Sequence, residues 1–193
     1  MSCSVVCIAR ATGAGGEEIG HLVADGLGFR YLDEEILAAA AEREGLTPAQ
    51  LAAVEQRREG LSRRPFDFVT GGATDELLLG SLIRQAIAEA AAEGGVVIVA
   101  HGAAIALADD ERALRVLVTA SPSIRAQRLA EERQLDLRDA AKLVERSDKG
   151  RADYFKRFYG LTHELPVHYD LVVNTDRMPS TRAAALVSAA ATS

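Results

Sequence analysis

Cysteine is scarce in this sequence, and its scarcity excludes a disulfide framework. Cys3 and Cys7 are the only two cysteines among 193 residues. On one strand they would lie about 13 Å apart at roughly 3.3 Å per residue, which is too far for a disulfide or a shared metal ion. We therefore expect two buried, reduced thiols and a cytoplasmic location.

Long apolar runs and an excess of basic residues are also lacking. No run approaches the roughly 18 apolar residues that cross a bilayer, and no basic segment precedes an apolar stretch, so we expect neither a membrane span nor a signal peptide. The net charge of −6 argues against nucleic acid as a partner, because phosphate contacts need a basic surface. Hydrophobic residues, by contrast, make up 48% of the chain, enough for the core of one domain over residues 1–193.

Apolar runs and helix-forming segments alternate along the chain, which predicts an α/β fold with a parallel sheet between helices. We predict strands at residues 4–9, 29–33, 96–100, 114–119 and 169–174. We predict helices at residues 16–27, 34–44, 47–58, 75–93, 122–133, 136–148 and 179–191. Asp75 is the expected cap of the fourth helix, and residues 59–74 are expected to form a loop.

A glycine-rich turn joins the first predicted strand to the first helix. Amides in such a turn, with the helix dipole, favour a bound anion. The pattern G-x-x-x-x-G-K-[ST] is nevertheless incomplete, since Arg10 stands at its first glycine and Gly16 at its lysine. The predicted nucleotide-binding residues are Thr12, Gly13, Ala14, Gly15, Gly16, Glu17 and Glu18.

Other interpretations of this turn stay open. It could be a tight connection without a ligand, with Thr12 capping its own turn. It could also be a dinucleotide fingerprint, in which Gly13 and Gly15 are the first two glycines and Asp33 follows about 20 residues on. Glu18, however, stands at the third glycine of that fingerprint.

Six segments, taken in order, carry a resemblance to a known family. They are residues 9–20, 29–33, 97–103, 114–129, 148–155 and 169–175. In order and spacing they resemble the loop SREFGSGGREIG, the motifs PFYD and VIVGRGA, a strand with an R-x-x-R helix, D-K-x-R-A-x-Y-Y and YDLCLNT. These belong to the cytidylate kinase-like family, nucleoside monophosphate kinase-like proteins with an atypical glycine loop. The similarity spans about residues 4–190.

The resemblance implies a three-layer α/β/α fold of the P-loop NTPase type with a mostly parallel five-stranded sheet. It implies a helical monophosphate-binding insert at about 34–74 and a lid at about 146–166. It also implies ATP and Mg²⁺ as cofactors, and transfer of the γ-phosphoryl group to CMP or a related small acceptor. A homodimer is left open, and the metal ligands are left unassigned.

The resemblance further implies roles for basic residues outside the loop. Arg146, Lys149 and Arg151 are the predicted catalytic residues of the lid, where they would replace the charge of the missing lysine. Arg125 and Arg128 either reach the cleft or face solvent. The predicted acceptor-binding residues are Asp33, Arg63, Arg64 and His101.

Some residues depart from the family's pattern and keep a second function open. Glu34 and Glu35 stand where cytidylate kinases place a serine and an arginine, and His101 replaces an arginine. Glu17 and Glu18 would repel a triphosphate if they faced it, although acids in a first helical turn also favour the dipole. The alternative is therefore a catalytically weak nucleotide-binding or regulatory pseudokinase of the same fold.

Overall fold

The computed structural model describes residues 3–33, 73–100 and 102–193, with only the backbone for residues 73–80, 82 and 83. The strands are β1 (Val5–Arg10), β2 (Arg30–Asp33), β3 (Val96–Val99), β4 (Ala113–Thr119) and β5 (Leu171–Asn174). The helices are α1 (Gly16–Leu27), α2 (Ala73–Glu93), α3 (Ala103–Ala106), α4 (Pro122–Arg133), α5 (Leu137–Tyr159) and α6 (Ser180–Thr192). A 3₁₀ turn covers Pro166–His168.

The five strands form one parallel sheet in the order β2-β3-β1-β4-β5. Alternate residues of the central strand serve two cores, because side chains along a strand point to opposite faces. Val6 and Ile8 pack with α1 and α6, whereas Val5 and Cys7 pack with α2 and α3. The predicted α/β fold with helices on both faces is thereby confirmed, and every strand pair is parallel.

Local sequence signals explain where the main helices begin and end. Gly28 ends α1 in the left-handed conformation, and its amide bonds to the carbonyls of Ala24 and Asp25. Asp136 caps α5 by accepting a hydrogen bond from the amide of Arg138 at 2.8 Å, and Gly160 ends the same helix. These are the ordinary cap chemistries of a carboxylate at the start and a glycine at the end.

Four parts of the sequence analysis need correction, and the first is the helix predicted at 136–148, which continues to Tyr159 as α5. Helix α2 begins at Ala73, so Asp75 lies inside it rather than at its cap, and residues 73 and 74 are not loop. The short helix α3 was not predicted at all. Cys3 is only partly buried, whereas Cys7 is fully buried and burial raises the pKa of its thiol to about 12.

Part of the chain lies outside the description. The helices predicted at 34–44 and 47–58, most of the loop predicted at 59–74, and the implied insert belong to that part. In the part that is described, no helix is both long enough and apolar enough to cross a membrane.

Candidate active site

The glycine turn lies at the carboxyl end of β1, the central strand of the sheet. In parallel α/β sheets, ligands bind in the crevice outside these strand ends. The strand next to β1 on one side is β3 and on the other β4. A dinucleotide-binding sheet has the order 3-2-1-4-5, so the observed order does not support the dinucleotide interpretation of Gly13 and Gly15.

The loop's carbonyl groups are all turned toward the protein. Each carbonyl from Arg10 to Ala14 has a donor partner, four of the five in distant elements. In chain order the donors are Arg151 Nη1 at 2.8 Å, the amide of Ala14 at 2.9 Å, Arg125 Nη1 at 3.3 Å, Arg128 Nη1 at 3.5 Å and Thr175 Oγ1 at 2.9 Å. Two of the amides in these peptide units are also bonded inside the protein, that of Ala11 to the carbonyl of Val118 at 3.0 Å and that of Ala14 to the carbonyl of Ala11.

The glycines make this turn sterically feasible. Gly13 and Gly15 have φ angles of 80° and 83°, which other residues rarely adopt. A Cβ on Gly13 would also lie 2.9 Å from the carbonyl oxygen of Arg125. Within the described ranges, no acceptor is found for the amides of Gly13, Gly15 and Gly16. Three donors at a helix N-terminus suit an anion.

Two arginines on α4 support the loop from behind. Arg125 is only 4% exposed and binds the carbonyls of Ala120 and Thr12 and, with two nitrogens, the carboxylate of Asp148. Arg128 binds the hydroxyl and carbonyl of Thr175 at 2.9 and 2.6 Å. Arg125 was expected either to reach the cleft or to face solvent. It does neither, because it is buried and its guanidinium is bound within the protein.

Helix α5 contacts the loop through two further residues on its buried face. Ser147 Oγ lies 2.5 Å from Thr12 Oγ1. Arg151, four residues on, binds the carbonyl of Arg10 and, through two nitrogens, the carboxylate of Glu164. Its guanidinium also stacks 4.9 Å from the ring centre of Phe155. The arginine is therefore buried and engaged on several sides.

Glu164 links this arginine to the start of β5. The hydroxyl of Tyr169 donates a hydrogen bond to Glu164. Burial, and after it the Glu164 carboxylate, raises the pKa of Tyr169. Sequence analysis missed Glu164 because it lies in an irregular segment, 13 residues from the arginine that it binds.

The two acidic residues of the loop have partners of their own. Glu17 Oε1 accepts a hydrogen bond from Arg10 Nε at 2.6 Å, and Glu18 Oε2 accepts one from the hydroxyl of Ser180 at 2.7 Å. Both are exposed, and both lie in the first turn of α1, where a carboxylate stabilises the helix dipole.

Asp33 ends β2 at the same edge of the sheet as the loop, in register with Val99. The charge of its carboxylate acts on Tyr31 of the same strand. Burial first, and then the carboxylates of Asp33 and Glu17, raise the pKa of Tyr31 to about 12, while Arg10 acts in the opposite direction. The charges of Asp33, Glu17 and Arg10 therefore all act on this phenol.

A cavity of about 380 Å³ adjoins the end of β5 and the start of α6. It is lined by Asn174, Asp176, Arg177, Met178 and Arg182. Ser180, which binds Glu18, also lies 3.6 Å from where a Cβ on Gly15 would be. The start of α6 therefore borders both the cavity and the glycine loop.

The other predicted site residues lie apart from this cluster or outside the description. Arg146 and Lys149 are exposed, and their spacing puts them off the α5 face that carries Arg151. Arg63, Arg64 and His101 lie outside the described residues. Where the structure is described, no group of three or more histidine, cysteine, aspartate or glutamate side chains could hold a metal ion.

Comparison with known sequences identifies the family of the chain. The sequence model of the cytidylate kinase-like family matches residues 5–177. No curated protein sequence matches the chain.

Three solved structures share the fold at low sequence identity. An uncharacterized protein from Eubacterium ventriosum ATCC 27560 has 17% identity and a TM-score of 0.72, with 97% of each chain covered. A gluconokinase from Sinorhizobium meliloti 1021 has 16% identity and a TM-score of 0.56, covering 96% of this chain and 91% of that one. Shikimate kinase from Acinetobacter baumannii, solved with shikimate, has 14% identity and a TM-score of 0.54, covering 95% and 89%.

Proposed function

This chain belongs to the cytidylate kinase-like family, and we propose that it transfers the γ-phosphoryl group of ATP to a small acceptor, with CMP or a related nucleotide as the favoured class. One observation carries the proposal. The carbonyls from Arg10 to Ala14 are held by donors behind the loop, while the amides of its glycines have no acceptor among the described residues.

Phosphoryl transfer makes few covalent demands on a protein. It requires alignment of donor and acceptor and positive charge around the transferring group. We assign the loop amides to the donor phosphates and the cavity at the end of β5 to the nucleobase, for which it is large enough. Arg146, Lys149 and Arg151 remain the proposed lid cations, and Asp33, Arg63, Arg64 and His101 the proposed acceptor contacts.

Mg²⁺ requires oxygen donors, and Asp33 and Glu17 are the carboxylates that we propose for it. Asp33 ends β2 at the edge of the sheet that carries the loop, and Glu17 lies in the first turn of α1. Mg²⁺ usually takes only one or two carboxylates, with waters and phosphate oxygens completing its shell. When bound, the ion would neutralise charge on the phosphates.

The first experiment measures ADP release from ATP and Mg²⁺ with CMP, dCMP, UMP, AMP, shikimate and gluconate as acceptors. Acceptor-dependent ADP release supports the kinase and identifies its acceptor class. ATP binding without transfer to any acceptor favours the second candidate below. No change in melting temperature with ATP contradicts both.

A glycine variant tests whether the loop binds the nucleotide. Gly13→Ala should weaken ATP binding about tenfold or more, because the new Cβ would press on the Arg125 carbonyl and distort the amides. Gly28→Ala is the matched control, since Gly28 also has a positive φ of 67° but has nothing within 4 Å of its Cβ position. Calorimetric titration with ATP compares them. Equal affinities for the two variants would count against the loop.

The second candidate is a nucleotide-binding regulatory protein without turnover. The observation in its favour is the state of Arg151, which is buried against Phe155 and already bound to Glu164 and the Arg10 carbonyl. An arginine engaged in this way stabilises the loop rather than a transferring phosphoryl group. Binding of ATP with no transfer would select this candidate.

A further inference from the structure

The side chain of Arg10 occupies the space in which a side chain at position 16 would lie. A Cβ on Gly16 would lie 2.5 Å from Cβ of Arg10, and 3.0 and 3.1 Å from its Cγ and Cδ. The aliphatic part of the arginine therefore runs directly over Gly16, which is buried beneath it. With Arg10 in this position, a lysine side chain at position 16 would overlap with it.

This packing places the guanidinium at the start of α1. Its Nε donates to Glu17 Oε1 at 2.6 Å, and Glu17 belongs to the first turn of the helix. The Arg10 side chain is 14% exposed, whereas that of Glu17 is 53% exposed. The helix dipole disfavours a cation at this end, so a negatively charged partner stabilises the guanidinium there.

The backbone of Arg10 is held by the sheet and by helix α5. The residue ends β1 in register with Val118, and its carbonyl is bound by Arg151 at 2.8 Å. A guanidinium on such an anchor can bind phosphate oxygens as it binds a carboxylate, without any movement of the loop. Its planar donor fork suits phosphate geometry better than an ammonium group does.

We propose that Arg10 is the cation of the phosphate-binding loop and contacts the donor phosphates in place of the missing lysine. Glu17 holds the guanidinium beside the loop until a phosphate displaces the carboxylate. The inference rests on the proposed function. It assigns the positive charge that replaces the lysine to the loop, whereas the resemblance had implied that the lid supplies it.

Calorimetric titration of the full chain with inorganic tripolyphosphate, and separately with ATP, tests this inference at one fixed salt concentration. Tripolyphosphate has no base or sugar, so it probes the phosphate contacts alone. Arg10→Gln should weaken both affinities about 10- to 100-fold, the value of charge-assisted hydrogen bonds. Arg10→Lys should restore part of the loss. Arg112→Gln is the matched control and should change nothing, since Arg112 is an exposed arginine paired with Asp110 before β4.

A second variant gives an effect of opposite sign. In buffer without Mg²⁺, Glu17→Gln should tighten tripolyphosphate binding roughly fivefold, because it removes a negative charge that competes with the ligand for Arg10. Because Glu17 is mostly exposed, this variant tests the inference even if Arg10→Gln does not fold. Weaker binding by Glu17→Gln would overturn the inference.

The role of Arg10 and the proposed function of the chain can be overturned separately. If the wild-type protein binds ATP but Arg10→Gln binds it equally well, the role of Arg10 is overturned and the proposed function stands. If the wild-type protein binds neither ATP nor tripolyphosphate, both are overturned.

Discussion

The two ends of the sheet use the same ion-pair chemistry in different surroundings. At the carboxyl end, Arg125 pairs with Asp148 and Arg151 with Glu164, and the arginine side chains are 5% and 8% exposed. At the amino end, Arg112 pairs with Asp110 and Arg115 with Asp170, and the arginines are 52% and 23% exposed. The buried pairs have a further function, because their arginines also bind carbonyls of the glycine loop.

The comparison between the buried and the exposed pairs shows how arginines can stabilise a candidate phosphate-binding loop by binding its carbonyls. A buried guanidinium that loses its partners costs much more than an exposed one. Each buried pair therefore fixes the loop firmly, and the exposed pairs add little. Five variants test this contrast between the two ends.

The largest expected effect comes from Arg151→Met. It leaves Glu164, only 18% exposed, without its bidentate partner, and should lower the free energy of unfolding by about 4 kcal/mol. Urea denaturation followed by circular dichroism measures this loss.

The double variant Arg151→Met with Glu164→Leu separates stability from catalysis. It should regain part of the stability lost by Arg151→Met, because the unpaired carboxylate is gone. Phosphoryl transfer should stay low if Arg151 also acts on the substrate. A double variant as unstable as the single one would contradict the account of the pair.

The next effect comes from Arg125→Met, which removes the donors to Asp148 and to the carbonyls of Ala120 and Thr12. Because Asp148 is 43% exposed and can be solvated, we expect a smaller loss of about 3 kcal/mol. ATP affinity should fall as well, since the Thr12 carbonyl loses its donor. Arg112→Met at the opposite end should lose less than about 1 kcal/mol; equal losses in urea denaturation would remove the contrast between the ends.

The smallest effect comes from Asp170→Asn at the amino end. Hydrogen bonds from the Arg115 side chain hold the pKa of Asp170 below its ordinary value. A depressed carboxyl pKa stabilises the fold above the unfolded value of about 3.9, and that contribution is lost as the pH falls through the lower folded pKa. Because the carboxylate is partly exposed, we expect a cost below about 1 kcal/mol at pH 7.

The measurement is the unfolding free energy of the wild type and Asp170→Asn at pH 7 and at successively lower pH. The difference between them should shrink as the wild-type carboxylate becomes protonated. A difference that grows on acidification would reverse the sign of the linkage.

Local sequence signals predicted the sheet and its loop well. The five segments predicted as strands contain the five strands of the sheet. Gly13 and Gly15 have the positive φ angles that this tight turn requires. The start of α2 and the short helix α3 were not foreseen, since neither has a strong cap residue or a long periodic pattern. Three residues of the loop's support escaped sequence analysis as site residues: Ser147, Glu164 and Thr175.

The sequence by itself determined that a glycine turn follows a buried strand and opens a helix, because apolar runs, glycines and first-turn acids act over a few residues. Only the tertiary structure decided what surrounds that turn. Thr12 meets Ser147 across 135 positions, and Arg10 meets Arg151 across 141. Such partners are selected by the packing of α4 and α5 against the sheet. The structure also shows that the side chain of Arg10 lies over Gly16, the position at which the lysine is missing.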